Sequence, residues 1–238
     1  MNISIYKTLK IYDPEKKIKF VSDRNAYLKR CVKGKSVLHV GCSDFPLTEE
    51  RIRSNNLLHV ELCNSAKKTV GIDLSEKGIA ILKSYGFEDV FVMDAEDITL
   101  NYLFDTVLGG DVLEHVNNPG KFLKKACSLI NSNGEIVLGV PSALTINNVK
   151  CWLGGWEQVH SDHTFYFSPK TLSTLCSRYG LLPTKLVFTV QPQGRYESSA
   201  FIFFRNILLR HFKTMSPSFI MHFKIEREVD RSCSIEWR

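Results

Sequence analysis

Two chemically useful residues stand at the ends of short apolar runs that predict buried strands. Gly41 follows the run Val37–Val40, and Asp73 lies near the end of the run Thr69–Leu74. In a doubly wound sheet, a nucleotide-like ligand sits at the carboxyl end of the first strand, where glycine lets the backbone approach it closely. An acid at the tip of the next strand can accept hydrogen bonds from both hydroxyls of a ribose. Together these residues predict a site for a ribose-containing ligand.

A third group of residues could bind a metal. Asp111, Glu114 and His115 follow an acid-x-x-Glu-His pattern, which can bring three ligand atoms near one another on a helical turn. The alternative is that Glu114 caps or contacts the loop around the bound ligand while His115 lines the pocket. We favour a site without a metal and keep these three residues as the alternative metal-binding set.

The elements that must position these residues alternate along the chain. Apolar runs near residues 37, 70, 90, 105 and 136 are separated by helical stretches, which is typical of a parallel sheet covered on both faces. Right-handed crossovers bring the carboxyl ends of the strands to one edge, so Gly41, Asp73, Asp94 and Asp111 should meet there. Runs at 186–190 and 199–204 predict an antiparallel hairpin at the sheet edge. The predicted fold class is therefore α/β, with a doubly wound, mostly parallel sheet of seven strands.

We expect the chain to divide into three regions. Residues 1–34 predict an N-terminal helical extension, in which Ser22 caps a helix that runs through Cys31. Residues 35–204 form the main domain, and their segment 142–168, which lacks clear periodicity, predicts a functional lid. Residues 205–238 predict a basic and apolar tail, which as a helix could dock on the body, on a protein partner or on another copy of the chain.

Composition and charge exclude several classes of protein. The hydrophobic content of 44% and the charged content of 24% are ordinary for a globular chain, and a net charge of +6 without a dense basic block argues against a nucleic-acid partner. Seven scattered cysteines without a CxxC pair disfavour a zinc site of the usual spacing and indicate reduced thiols in a cytoplasmic protein. We find neither an apolar signal-peptide core nor a run that approaches the roughly 18 apolar residues of a membrane span.

Four ordered segments carry a family resemblance: VLHVGCSD, VGIDLSEKGI, VMDAEDI and FDTVLGGDVLEHVNNPGKFLKKACSLINSNGEIVLGVPS. They resemble the class I S-adenosylmethionine-dependent methyltransferases over about residues 35–141, with a fainter similarity to residue 204. The resemblance implies S-adenosylmethionine as cofactor and S-adenosylhomocysteine as product. A later segment, HSDHTFYFSPKTLSTLCSRYGL, resembles the acceptor-side region of small-molecule and sugar O-methyltransferases in this group.

The resemblance also implies which residues contact each part of the cofactor. These are Gly41, Cys42 and Ser43 under the methionine part, Asp73 and the adjoining Leu74 at the ribose, Asp94, Ala95 and Glu96 at the adenine, and Gly110 and Asp111 at the sulfonium.

The chain departs from the family pattern around the first strand. His39 stands where the family usually has an acid, and Ser43 and Phe45 replace the second and third glycines of the usual turn. This altered turn keeps a second class of function in view, namely a non-catalytic binding or scaffold module on the same fold.

The resemblance implies methyl transfer to a hydroxyl, and in second place to an amine, of a small polar acceptor such as a sugar or a glycan end. A hydroxyl acceptor benefits from a general base, for which His160 and His163 in the lid and His115 after the fourth strand are the candidate catalytic residues. The acid-x-x-Glu-His pattern also resembles that of metal-assisted O-methyltransferases of quinone precursors and small-RNA ends, which is a further alternative. Four aromatic side chains suit stacking on an acceptor: Trp152, Trp156, Tyr166 and Phe167.

Overall fold

The computed structural model describes residues 18–190 and 212–226 of the chain, together with residues 207 and 209. In these ranges the strands are β1 (Ile18–Val21), β2 (Ser36–Val40), β3 (Lys68–Asp73), β4 (Val90–Val92), β5 (Phe104–Gly110), β6 (Ile130–Pro141), β7 (Leu181–Thr189) and β8 (Ser218–Ile225). The helices are α1 (Arg24–Cys31), α2 (Thr48–Arg53), α3 (Leu58–Cys63), α4 (Glu76–Ser84), α5 (Pro119–Ser128), α6 (Ile146–Leu153) and α7 (Pro169–Ser177). The predicted strand at 199–204 lies outside the described residues.

The eight strands form one sheet in the order β1-β7-β8-β6-β5-β2-β3-β4. Strands β4, β3, β2, β5 and β6 pair in parallel, as the alternation of apolar runs and helices predicted. Strand β8 is antiparallel to both β6 and β7, and β1 adds in parallel to the outside of β7. The predicted fold class, a mostly parallel α/β sheet with an antiparallel element, is thereby confirmed.

The sheet of the described residues has eight strands instead of the predicted seven, and the difference lies at its antiparallel end. Strand β8 comes from the segment that we expected to form a helical tail, and β1 comes from the predicted helical extension. The first six residues of β8 are all buried, so its sequence SFIMHFKI lacks the alternation that marks a strand with one exposed face. The sheet consequently draws strands from both sides of the predicted boundaries at residues 34 and 204.

Side-chain caps explain where the helices begin. Asp23, rather than the predicted Ser22, caps α1, because its Oδ1 accepts a hydrogen bond from the amide of Ala26 at 2.9 Å. Ser75 caps α4, and Ser168 begins α7 with a reciprocal capping box. None of the helices in the described ranges is long and apolar enough to cross a membrane.

The core lies on both faces of the sheet. A large cluster packs α5 and α7 against one face of the sheet, and it includes Phe122 of α5 together with Phe104 and Phe223 of the strands. A second cluster packs Tyr27 and Leu28 of α1 against the other face. Helix α1 is therefore part of the domain body, and its first residue is carried to the carboxyl edge of the sheet.

The role of β8 as an inner strand generates a first prediction. Ile220 is fully buried in the cluster beneath α1, so Ile220→Ala should lower the free energy of unfolding by about 2–5 kcal/mol. Lys224 lies on the same strand but is only half-buried, so Lys224→Ala serves as the matched control and should cost far less. Urea unfolding of both variants makes the measurement. Equal, small effects would show that residues 218–225 do not form an inner strand.

Candidate functional site

A cavity of about 850 Å³ opens at the carboxyl edge of β2, β3, β4 and β5. Its size falls in the range of roughly 300–1,000 Å³ that is usual for small-molecule sites. It is lined by nine of the ten predicted cofactor residues and by two of the predicted histidines: Gly41, Cys42, Asp73, Leu74, Asp94, Ala95, Glu96, Gly110, Asp111, His115 and His160. The convergence predicted from the strand ends is therefore present.

The turn after β2 needs glycine at Gly41 for two reasons. Its φ angle is +75°, and a Cβ atom there would lie 2.6 Å from Cγ2 of Val112. The amides of Gly41 and Cys42 both donate to the carbonyl of Ile72, at 2.9 and 3.1 Å. The turn is thus fixed against β3 and brings bare backbone to the cavity wall.

Asp73 is held by two backbone amides. Its Oδ2 accepts from the amide of Ser43 and its Oδ1 from the amide of Ser75, both at 2.9 Å. A carboxylate offers about four lone pairs, so each oxygen keeps one for a ligand hydroxyl. Ser43 itself does not line the cavity, because its buried side chain faces Gly78 of α4. Its contribution to the site is the amide that positions Asp73.

The acidic turn after β4 joins two loops. Asp94 Oδ1 accepts from the amide of Glu96 at 2.8 Å. Glu96 Oε1 in turn accepts from the amides of Asn117 and Asn118, at 2.8 and 2.9 Å. One oxygen of Glu96 is therefore committed to fixing the loop after β5, so the turn shapes the site as well as lining it.

Arg24 is the main site residue that the sequence did not reveal. Only 7% of its side chain is exposed, and its Nη2 lies 3.0 Å from Oδ2 of Asp111. A Cβ atom on Gly110 or Gly139 would approach that nitrogen to 2.7 or 3.2 Å, so the two glycines make room for the guanidinium. Neither Nη2 nor Nε of Arg24 has a hydrogen-bond partner within the described ranges. Its sequence signal is weak, because it is one arginine at the start of a short, polar helix with little amphipathic pattern.

The residues around β2 that depart from the family pattern fit into the structure without closing the cavity. Asp44 adopts a left-handed φ of +55°, and Phe45 beside it is 45% exposed at the cavity rim. The bulky ring therefore does not fill the turn. His39 is buried against His59, with the two Nδ1 atoms 3.2 Å apart, and burial lowers the pKa of His39 well below its usual value. A neutral histidine thus replaces the usual acid.

The three predicted catalytic histidines converge at the mouth of the cavity. The ring of His163 lies 4.7 Å from that of His115 and 5.0 Å from that of His160, measured between centroids. Thr164 holds the lid in place, because its amide and hydroxyl both donate to the carbonyl of Glu114, at 2.8 and 3.1 Å. Burial lowers the pKa of His163, and the charges of His115 and His160 lower it further, so its ring is neutral near pH 7.

Glu114 lies beneath this cluster without a hydrogen-bond partner for either carboxylate oxygen in the described part of the chain. It is 1% exposed, and burial together with the charge of Asp111 raises its pKa to about 8. Ligand atoms of Glu114, His115 and His163 lie within 4.8 Å of one another. The set that could hold a cation thus includes His163 in place of the predicted Asp111, whose carboxylate pairs with Arg24.

The lid is more regular than we expected, since it contains α6 and its two ends join through a bridge between Ser142 and Phe167. Phe167 is 5% exposed in the main core, so it cannot stack on an acceptor as predicted. Trp152 and Trp156 are more than half exposed and lie outside the cavity lining.

Comparisons with known proteins agree on one family. A family model described as a methyltransferase domain matches residues 12–186. The ubiquinone biosynthesis O-methyltransferase of Aromatoleum aromaticum is 27% identical over 183 residues, which cover 69% of this chain and 70% of that protein. The protein of the same name from Bradyrhizobium diazoefficiens is 29% identical over 121 residues, which cover 49% of this chain and 44% of that one. The chain spans about half the length of the first curated relatives it matches.

Solved structures share the fold. An S-adenosylmethionine-dependent methyltransferase from Archaeoglobus fulgidus superposes with a TM-score of 0.57 at 17% identity, covering 84% of this chain and 92% of that one. The 1,6-didemethyltoxoflavin-N1-methyltransferase of Burkholderia thailandensis, solved with bound 1,6-didemethyltoxoflavin and S-adenosylhomocysteine, gives a TM-score of 0.53 at 15% identity, covering 84% of this chain and 75% of that one. At these identities the likeness concerns the fold alone.

The raised pKa of Glu114 generates a prediction about stability and pH. The native state keeps this proton up to about pH 8, whereas the unfolded chain releases it near its ordinary pKa of 4.5, so stability falls as pH rises between these values. Glu114→Gln is permanently neutral and removes this dependence. Between about pH 5.5 and about pH 8, the chelator-treated wild type should lose roughly 2–3 kcal/mol relative to the variant. Urea unfolding at both pH values tests this, and parallel pH profiles for the two proteins would contradict it.

Proposed function

The chain belongs to the class I S-adenosylmethionine-dependent methyltransferases, and on this premise we propose that it methylates a hydroxyl of a small polar acceptor. The observation that carries the proposal is the histidine cluster at the mouth of the cofactor cavity, in which His115 and His160 line the cavity and His163, the most buried of the three, packs against both and is neutral. A neutral imidazole is suited to accept the proton of an acceptor hydroxyl.

Residues of the chain that fit the cofactor form a continuous series along the cavity. The backbone at Gly41 and Cys42 suits the methionine part, Asp73 suits the ribose hydroxyls, and Asp94 with Ala95 suits the adenine. Leu74 is 67% exposed at the rim and can cover the ribose from solvent.

Arg24 adds a partner for the cofactor's carboxylate. It is a buried cation that lines the cavity, and its unpartnered Nε and Nη2 suit a charge-assisted hydrogen bond to an anion. Asp111 forms an ion pair with the guanidinium but accepts no hydrogen bond from Nε or Nη2, so both nitrogens keep their donors for a ligand. The pair also places a carboxylate beside the expected position of the sulfonium.

Catalysis then needs little from the protein beyond alignment and one proton transfer. The cofactor supplies an activated methyl group. His163 accepts the hydroxyl proton of the acceptor, and burial, which lowers its pKa, keeps the ring in the neutral form that this step needs. Thr164 fixes the distance between the lid and the loop after β5, which holds the acceptor in line and excludes water.

The proposal extends to the chemical class of the acceptor. The relatives are named for O-methylation in ubiquinone biosynthesis, which supports an oxygen acceptor here. Trp152 and Trp156 are exposed on the lid, and they suit a sugar or glycan end as well as an aromatic ring. A cytoplasmic location stays a prediction, supported by the free cysteines of the described residues.

A metal-assisted O-methyltransferase is the second candidate. The observation that favours it is the buried carboxylate of Glu114, without a hydrogen-bond partner in the described ranges, beside His115 and His163. Oxygen and imidazole donors suit several divalent ions, and a divalent ion supplies Lewis-acid polarisation of an acceptor oxygen. In this version Glu114 and the two histidines are ligands, and His163 is not the base.

We predict that Arg24→Gln weakens binding of S-adenosylhomocysteine about 10–100-fold, because a charge-assisted hydrogen bond is lost. Arg30→Gln is the matched control on the same helix, and it should leave the affinity unchanged because Arg30 is exposed and does not line this cavity. Methylthioadenosine lacks the amino-acid carboxylate, so wild type and Arg24→Gln should bind it equally well. An equal loss for both ligands in calorimetry would mean that Arg24 only supports the fold.

The proposed base generates the central activity prediction. His163→Ala should lower turnover by about 10²–10⁴-fold, while the affinity for the cofactor changes little. Turnover is followed by transfer of a labelled methyl group to the acceptor that a panel of sugars, oligosaccharides and phenols identifies. A loss of less than about tenfold would mean that proximity alone drives the reaction or that His115 is the base.

Chelation separates the two candidate mechanisms, since His163→Ala would inactivate both. With a neutral base, the wild type should keep its turnover after treatment with a chelator. Strict loss of turnover, restored by magnesium, manganese or zinc, would contradict the metal-free mechanism and support the second candidate.

A further inference from the structure

A second cavity, of about 580 Å³, opens to solvent beside α1, at the end of this helix remote from Arg24. Strands β1, β6, β7 and β8 supply its other walls. Its lining residues differ from those of the first cavity, and methyl transfer uses none of them. Its polar lining consists of one thiol, one imidazole, two hydroxyls, one carboxylate and four cationic side chains: Cys31, His222, Tyr27, Thr184, Glu135, Lys19, Arg30, Lys35 and Lys185.

A chain of short hydrogen bonds crosses this cavity. Nε2 of His222 lies 2.7 Å from the hydroxyl of Tyr27, and its Nδ1 lies 2.7 Å from Oε2 of Glu135. Lys35 Nζ donates to Oε1 of the same carboxylate at 2.8 Å. His222 is 4% exposed, so water does not compete for these contacts. This hydrogen-bonded chain joins α1, β6, β8 and the turn before β2, and its residues do not line the cofactor cavity.

The direction of hydrogen-bond donation along this chain stabilises the thiolate form of Cys31. When both nitrogens of His222 carry a proton, Nδ1–H donates to Glu135 and Nε2–H donates to the oxygen of Tyr27. The hydroxyl proton of Tyr27 is then available to Cys31, which lies beside both rings. Burial opposes ionisation of the thiol, but contacts with His222 and Tyr27 and the charge of Lys185 outweigh it, so the pKa of Cys31 lies below its ordinary value.

Other charges face the thiol from every side of the cavity. Arg30 lies on α1 next to Cys31, Lys185 on β7 holds its Nζ 4.8 Å from the centroid of the Tyr27 ring, and Glu135 on β6 is paired with His222 and Lys35. With Lys19 on β1, four cations surround a single carboxylate that is already engaged. These cationic side chains around the cavity opening, which we call the rim, therefore attract anions.

We propose that Cys31 is a reactive thiol and that this cavity is a modification site for small anionic disulfides. The thiolate of Cys31 attacks one sulfur of the disulfide, a new S–S bond forms, and the old S–S bond breaks. The other half of the disulfide leaves as a thiolate with the electron pair, so the exchange needs no further oxidant. The carboxylates of the disulfide pair with Lys185, Arg30 and Lys19.

Other cysteines of the described residues provide internal references. Burial raises the pKa of Cys63 and raises that of Cys127 to about 11. Cys127 is half-buried like Cys31, but it does not line the cationic cavity. The two thiols in one protein are therefore a matched pair.

The test is the rate of mixed-disulfide formation in the full chain near pH 7, with peptides mapped by mass spectrometry. Oxidised glutathione is the anionic probe and 2-hydroxyethyl disulfide is the neutral one. Cys31 should react at least about tenfold faster than Cys127 with oxidised glutathione, and added salt should reduce this advantage. Equal rates at Cys31 and Cys127, or no preference of Cys31 for the anionic probe, would overturn the proposal.

Two variants separate the thiol chemistry from the charge of the rim. Lys185→Gln should slow the reaction of Cys31 with oxidised glutathione and change its rate with the neutral probe much less. His222→Gln should move the pH profile of the reaction upward, towards the range of roughly 8.5 that is ordinary for a cysteine. An unchanged profile in a correctly folded His222→Gln protein would contradict the thiolate assignment.

Discussion

The buried ion pair between Arg24 and Asp111 is the contact on which the cofactor cavity depends. Arg24 is 7% exposed above Gly110 and Gly139, so its charge is removed from water and must be compensated by Asp111. Removing one partner of such a pair typically costs about 3–5 kcal/mol, which fixes the position of α1 against the turn after β5. The same helix packs Tyr27 and Leu28 against the sheet and ends at Cys31. One short helix thus links the cofactor site with the second cavity.

Around this pair, the loops at the carboxyl edge are joined by side chains that each make two hydrogen bonds. Asp73 joins the turns after β2 and β3, Glu96 joins the loops after β4 and β5, and Thr164 joins the lid to the loop after β5. The strands supply a rigid base, and these contacts make the loops act as one wall. Such cross-linking explains how an altered turn with Ser43 and Phe45 still leaves an open, defined cavity.

The sequence was sufficient for those parts of the site that depend on strand order. Gly41, Asp73, Asp94 and Asp111 meet because parallel strands end at one edge, and apolar runs with helices between them predict that arrangement. Strand β8 was not predictable, because a strand buried on both faces has no alternation to separate it from a buried helix. Arg24 and the partnership of Glu114 with His163 depend on tertiary packing, and local spacing favoured Asp111 instead. Local patterns therefore located the cavity, while side chains from distant elements decide its electrostatics.

The most direct test of this account is a calorimetric titration of the wild-type chain with S-adenosylmethionine. A cavity built from Gly41, Asp73 and Arg24 should give a saturable isotherm with one site per chain. The absence of binding by a folded protein would contradict the account, because the same fold would then serve as a scaffold without its cofactor.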